Sequence, residues 1–199
     1  MIPKSDRPLP SQTKWNRDLN LNVEWERMYS RCCKTTSNTT LVWFQDKIIH
    51  RILTNNSFVS KFMDVSSLCT FCQRERESIL HLLVQCNEVD LLWMWVKNRI
   101  RDRLHVQVQL DSREIILGLD PEQYDLLDVN LIAIQRLLLL VKWYIYRSKV
   151  RNEHVNAAAL STFLKISTDA ELLYVRHASN ESCKRKREAS ALLCYDADA

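Results

Sequence analysis

The stretch Leu68–Cys86, LCTFCQRERESILHLLVQC, gathers three of the seven cysteines and one of the five histidines of a 199-residue chain. Its spacing is Cys69-x2-Cys72-x8-His81-x4-Cys86. Zinc takes four tetrahedral ligands from thiolate sulfur and imidazole nitrogen, and a Cys-x2-Cys pair on a tight turn is the usual way to present two of them. The middle gap gives the chain room to bring the second pair over the first. A Cys3His set with no fifth candidate nearby reads as a closed structural site, with no open position for hydrolysis. The competing reading is a group of buried thiols beside an ordinary helical histidine, because free cysteine is among the most buried residue types. The paired spacings favour metal for these four, whereas Cys32, Cys33, Cys183 and Cys194 read as plain thiols.

His81 and Cys86 are five residues apart, which on an ideal α-helix separates them by about 140°. Both reach one ion only if the helix carrying Ile79, Leu80 and His81 ends or tightens before Cys86. Asn87 is a fitting terminator of that helix or cap of the next.

Outward from this stretch the sequence reads as all-α. Gly118 is the single glycine and no proline falls between Pro10 and Pro121, so the turns of a multi-stranded sheet lack their punctuation. Asn22 can cap a helix with Trp25, Met28, Tyr29 and Cys32 on one side. Thr39 or Thr40 can open the next, with Leu41, Phe44, Ile48 and Ile52 inward. Beyond the Cys/His turn, Val89, Leu92, Trp93, Val96 and Ile100 mark another helix, and HVQVQLD alternates as one short extended segment would. Residues 111 to 128 read as an acidic connector with one short helix. A long helix is expected over about 129 to 151 on Ile134, Leu137, Leu138, Val141 and Ile145. A last one is expected over roughly 156 to 178 on Leu160, Phe163, Leu164 and Leu173. The expected organisation is a flexible N-terminus (1 to 12), a helical zinc-binding region (13 to 110), the connector (111 to 128), a helical region packing on it (129 to 178) and a frayed polar tail (179 to 199).

Hydrophobic residues at 46% and charged residues at 26% are ordinary for a globular protein able to bury a core without disulfides. An odd cysteine count, with Cys32 and Cys33 adjacent, suits a reducing compartment better than a disulfide framework. The opening MIPKSDRPLP carries no export signal. The most apolar run, Leu137–Val141, lies between Arg136 and Lys142 and is far short of the roughly 20 residues that span a bilayer. The expectation is an intracellular protein with neither a membrane nor a small-molecule substrate as partner. The net charge of +4 is unevenly spread, with +5 over residues 1 to 63, −5 over 64 to 128 and +4 over 129 to 199. Two basic segments flank an acidic one, which is compatible with a nucleic-acid partner without requiring it.

With the ligand spacing fixed, the flanking text LVWFQDKIIHRILTNNSFVSKF, LCTFC, ESILHLLVQC and Trp93 resembles the C-terminal cysteine-rich segment of polyproteins encoded by vertebrate LINE-type (non-LTR) retrotransposons. In that family the segment follows the reverse transcriptase and is called its zinc-binding region. Trp15, Asp18-Leu19 and Trp25 upstream and LLLLVKWYIYRSK downstream extend the likeness over about residues 13 to 150. The resemblance implies Zn2+ on Cys69, Cys72, His81 and Cys86, and contact with RNA or single-stranded DNA during target-primed reverse transcription. No Tyr-x-Asp-Asp or Phe-x-Asp-Asp polymerase signature occurs, and YDADA at 195 to 199 is not one, so the chain is expected to be non-catalytic by itself. A reverse transcriptase acting in trans is a possible partner.

Phosphate binding needs cations on one exposed surface, and sequence-tolerant single-strand binding adds aromatic stacking. Lys47, His50 and Arg51 precede the metal motif, Arg74 and Arg76 sit within its loop, and Lys97 and Arg101 share a side of the following helix. Arg147, Lys149 and Arg151 end the long helix, where a cation equally complements the helix dipole. Phe71 can stack on a base, although packing is the better reading. KRKR at 184 to 187 is either a nuclear localisation signal or a solvated run. The alternative to nucleic-acid binding is a zinc-braced module for protein interaction. Trp93 and Trp95, two apart on a helix, cannot both face one core.

Overall fold

A 24-residue helix, Asp128–Arg151, organises the molecule because the side chains of its middle, from Arg136 to Lys142, are buried on every side. The computed structural model describes residues 8–21, 23–124, 126–175 and 181–194. In chain order its helices are α1 (Pro10–Asp18), α2 (Trp25–Thr35), α3 (Thr39–Ile49), α4 (Asn56–Val59), a π-helical turn (His81–Gln85), α5 (Asn87–Leu104), α6 (Ser112–Leu117), a 3-10 turn (Pro121–Gln123), α7 (Asp128–Arg151), α8 (Ala157–Val175) and α9 (Glu181–Cys194). Among the described residues the sole β pairing is an isolated antiparallel bridge between Leu68 and Arg76. The fold is all-α.

Ile134, Leu137, Leu138, Val141 and Ile145 of α7 are all buried, and α2, α3, α5, α8, α9 and the π turn pack around them. A helix apolar on all sides is the centre of a core. It is also long and apolar enough, by length and composition, to cross a membrane, but 61% of its most apolar window is covered by the rest of the protein. Two cations within it are satisfied by protein groups. Arg136 pairs with Glu171 of α8 at 2.7 Å and donates to Thr168 Oγ1 and Cys194 Sγ. Lys142 donates to Gln45 Oε1 at 2.6 Å and to the Ile116 carbonyl at 3.1 Å.

Local chemistry sets the other elements. Asn38 caps α3 by accepting from the Thr40 amide, one residue earlier than the threonines expected to do so. Ile52, expected on the buried side of that helix, lies beyond its end and is exposed. Asp111 caps α6, and Asn156 accepts from the Ala159 amide to open α8. α5 buries all five of its expected core residues. In α8, Leu160 and Leu164 are buried but Leu173 is exposed, because the apolar spacing that faces α7 ends near Thr168 and Glu171, whose polar groups meet Arg136.

Four expectations about organisation change. Helix α1 begins at Pro10, whose missing N–H costs nothing in a first turn, so residues 10 to 12 are helical; residues 1 to 7 lie outside the described set, as does Asn22. The acidic segment 111 to 128 holds the one short helix expected of it, α6, but that helix and Leu119 belong to the common core, with Ile115, Ile116, Leu117 and Leu119 buried. The alternating residues 106 to 110 form no strand; Leu110 is buried while Val106 and Val108 are half-buried. The tail is not frayed throughout, because α9 packs on α7 through Ala189, Ser190, Leu193 and Cys194. Small residues at helical spacing let the two backbones approach there. KRKR falls within α9, where Lys186 donates to the Thr36 carbonyl at 3.3 Å, and YDADA lies outside the described residues.

Glu171 also accepts from Thr36 Oγ1 at 2.7 Å and from the Ser37 amide, so one carboxylate joins α7, α8 and the α2–α3 turn. Removing one partner of a buried pair leaves an uncompensated charge. Arg136→Ala is therefore expected to cost about 3 to 5 kcal/mol in urea unfolding, and a loss within about 1 kcal/mol, the range of an exposed pair, would contradict this role.

Candidate metal centre

Cys69 and Cys72 sit on a turn held by two backbone bonds, Cys69 N–H to the Glu75 carbonyl at 2.8 Å and Gln73 N–H to the Cys69 carbonyl at 3.0 Å. Gln73 takes a left-handed φ of 54°, which turns the chain back after Cys72. The Leu68–Arg76 bridge closes the loop. His81 and Cys86 approach from the other side, on the short helical stretch that ends at Gln85.

Of the two expected alternatives, an end or a tightening before Cys86, the helix takes the first, ending at Gln85, and its last turn widens rather than tightens. His81–Gln85 is a π turn in which the Cys86 amide donates to the His81 carbonyl at 2.9 Å, an i to i+5 bond. Widening brings residue i+5 back over residue i, so it removes most of the 140° that an α-helix would put between the two ligands. Cys86 then turns extended with ψ of 125° and stands at the N-cap of α5. Inside the turn, the Leu83 carbonyl accepts from the indole N–H of Trp93 at 2.9 Å. Leu82 and Leu83 are fully buried, which fixes the turn to the core.

The four ligand atoms lie within 4.8 Å of one another. Cys69 Sγ and Cys86 Sγ are 3.8 Å apart, and Cys72 Sγ is 3.4 Å from His81 Nε2. A disulfide would need about 2.05 Å. A tetrahedral ion with bonds of about 2.3 Å to sulfur and about 2.0 to 2.1 Å to nitrogen holds its sulfurs about 3.8 Å apart and sulfur and nitrogen about 3.6 Å apart. The donor set and its separations fit a metal ion.

Electrostatics point the same way. Burial pushes the Cys69 thiol up and the Cys86 thiol up to about 12. Cys72 is also penalised by burial, but the backbone N–H groups of Glu75 and Arg74 and the His81 side chain bring it down to about 6. Amides of Phe71 and Cys72 likewise face Cys69, and that of Glu88 faces Cys86. Such amides stabilise thiolates and orient them. Three thiols this close cannot all ionise unaided, and a cation between them would relieve the conflict.

Glu77, unremarked in the sequence, locks the loop to the fold. It is fully buried, and its carboxylate accepts from the Asn56 amide, the Thr70 amide and Thr70 Oγ1, each at 2.8 Å. Lys149 of α7 pairs with it at 3.4 Å. Only a three-dimensional arrangement brings those partners together, so nothing in the sequence marks this glutamate.

The candidate cations divide by environment. Lys47, Arg74, Arg76, Lys97 and Arg101 are exposed; Arg76 donates to Ser57 Oγ at 2.9 Å and Arg101 pairs with Asp102. Arg51 pairs with Asp18 at 2.7 Å and lies 4.2 Å over the Trp15 ring, while His50 stacks on Tyr29 and sits 3.3 Å from Asp46. Both are engaged in holding α1 and α2 to the end of α3. Lys149 is taken by Glu77, and Arg147 covers Phe163. Phe71 is half-buried against the core and Trp93 is buried, whereas Trp95 is half-buried beneath Arg99. No protein family, curated protein or solved structure matches the chain.

Ligands must be deprotonated to bind a metal. With Cys72 low and Cys69 and Cys86 raised, titrating metal-free protein with Zn2+ near pH 7 is expected to release about two protons per site, read with a pH indicator. Release of none would contradict coordination by these thiols.

Proposed function

We propose that the chain is a zinc-braced, non-catalytic region that binds single-stranded RNA or DNA, related to the zinc-binding segment of LINE-type retrotransposon polyproteins. The observation that carries this reading is the convergence of Cys69, Cys72, His81 and Cys86 within 4.8 Å. The Cys3His donor set favours zinc over harder cations, and it leaves no coordination position for a substrate. The ion's part is structural: it supplies the cross-link that holds the CTFC turn against the π turn. The chain's own residues would make the nucleic-acid contacts, with exposed Lys47, Arg74, Arg76, Lys97 and Arg101 placing cations around the metal loop. The ordered landmarks from Trp15 to Lys149 support the retrotransposon relationship, and an intracellular setting follows from the thiol-rich site. A reverse transcriptase supplied in trans is the natural source of chemistry.

A second reading, a zinc-braced surface for another protein, is favoured by exposed Trp43 on α3 and by Leu91 and Met94 on α5. Nucleic-acid titration separates the two. Binding of the full chain to single-stranded RNA is expected to weaken with salt with a log–log slope of magnitude about 0.7 per phosphate contacted, and Arg74→Ala and Lys97→Ala are each expected to reduce that magnitude by about 0.7. Binding that ignores salt, or none at all, would favour the protein partner.

A further inference from the structure

Phe58 and Phe62 stand out of the metal loop's neighbour, α4 and the turn after it. They are 50% and 74% exposed, and their rings meet edge to face at 5.3 Å. Met63 and Val65, next in sequence, are also exposed, at 62% and 45%. A contiguous exposed apolar patch on a globular protein marks an interaction site.

The ridge is held rigidly. Asn55 Oδ1 accepts from the Phe58 amide, the Glu77 carboxylate accepts from the Asn56 amide, the Glu77 carbonyl accepts from the Ser57 amide, and Arg76 Nε donates to Ser57 Oγ. The backbone under the aromatic pair therefore rests on the loop that carries Cys69 and Cys72. Cations lie beside it: Lys61 falls between the two phenylalanines in sequence, and Arg76 donates to Ser57, the residue before Phe58. Lys61, Arg74 and Arg76 are exposed and, among the described residues, none is in an ion pair, although Asp64 and Glu75 share this surface.

From this juxtaposition we infer that Phe58 and Phe62 form a base-stacking site for single-stranded nucleic acid, with Lys61 and Arg76 placed to meet the adjacent phosphates. The inference rests on the nucleic-acid reading above and deepens it. Sequence-tolerant recognition of single strands needs aromatic faces for the bases and cations for the backbone, and every base offers a π-face. Cations in no ion pair, Lys61 between the two aromatics in sequence and Arg76 on the adjoining loop, suit that ligand better than an apolar protein surface, which would leave them desolvated and unmatched.

The test compares the full chain's affinity for an oligo-U or oligo-dT strand with its affinity for an abasic strand of equal length. Wild type is expected to prefer the strand with bases. Phe62→Ala and the double variant Phe58→Ala/Phe62→Ala are expected to lose that preference by roughly 5- to 150-fold per stacked base, with abasic binding unchanged; Phe62→Trp should restore it. Both side chains are at least half exposed, and unchanged circular dichroism and metal content verify the fold. Equal wild-type affinity for the two strands, or a double variant that keeps the preference, overturns the stacking site and leaves phosphate binding in place. Failure to bind either strand overturns both and assigns the ridge to a protein partner.

Discussion

One geometric constraint governs the centre of the molecule: His81 and Cys86, five residues apart, face the same point. An α-helix forbids this, and the chain meets it by a π turn at His81–Gln85 that stops at Cys86. The consequences spread along the chain. The turn's inner residues Leu82 and Leu83 are buried against the core, Trp93 takes up the Leu83 carbonyl, and Cys86 becomes the residue from which α5 departs. Local coordination geometry and the packing of the main core are thus set by the same five residues. A π turn is a rare local conformation that frequently occurs at functional sites, and here the ligand spacing gives it a physical reason.

A second dependence runs through buried charge. Glu77 joins the cysteine turn to α4 and to Lys149 of α7, while Glu171 joins Arg136 to α8 and the α2–α3 turn. In each case one carboxylate accepts from amides or hydroxyls on separate elements, so the pair's desolvation is offset by several hydrogen bonds. The arrangement also sorts the cations. Those that meet a carboxylate, an amide or backbone carbonyl oxygen or an aromatic ring inside the fold (Arg51, Arg136, Lys142 and Lys149) hold helices together, and those on the outer faces of α3, the metal loop and α5 are exposed.

Much of the fold was legible in the sequence, because it rests on helical periodicity. The apolar spacing marked α2, α3, α5, α7 and most of α8, and the scarcity of glycine and proline argued against sheets. The convergence of Cys69, Cys72, His81 and Cys86 into one cluster able to hold a metal was legible from their spacing alone. What escaped detection has a common cause, dependence on three-dimensional neighbours. Glu77 looks like one more charge in QRERES until its partners assemble around it. Residues 111 to 128 read as an acidic connector because their six acidic residues outnumber the four apolar ones, Ile115, Ile116, Leu117 and Leu119, that turn inward. α9 hides its packing surface within a basic tail, and Arg51 resembles a free cation until Trp15 and Asp18 close over it. Phe58 and Phe62 carry the i, i+4 spacing of a buried helical face, yet the helix ends at Val59 and leaves both rings outside.

The central claim is that the metal loop closes around a tetrahedral zinc ion. Zinc-edge X-ray absorption on the purified chain tests it most directly, because it reads ligand type and distance without requiring activity. The expected spectrum corresponds to one zinc per chain with three sulfurs at about 2.3 Å and one nitrogen at about 2.0 to 2.1 Å. A chain purified under reducing conditions without zinc, or with a first shell of oxygen and nitrogen alone, would contradict it.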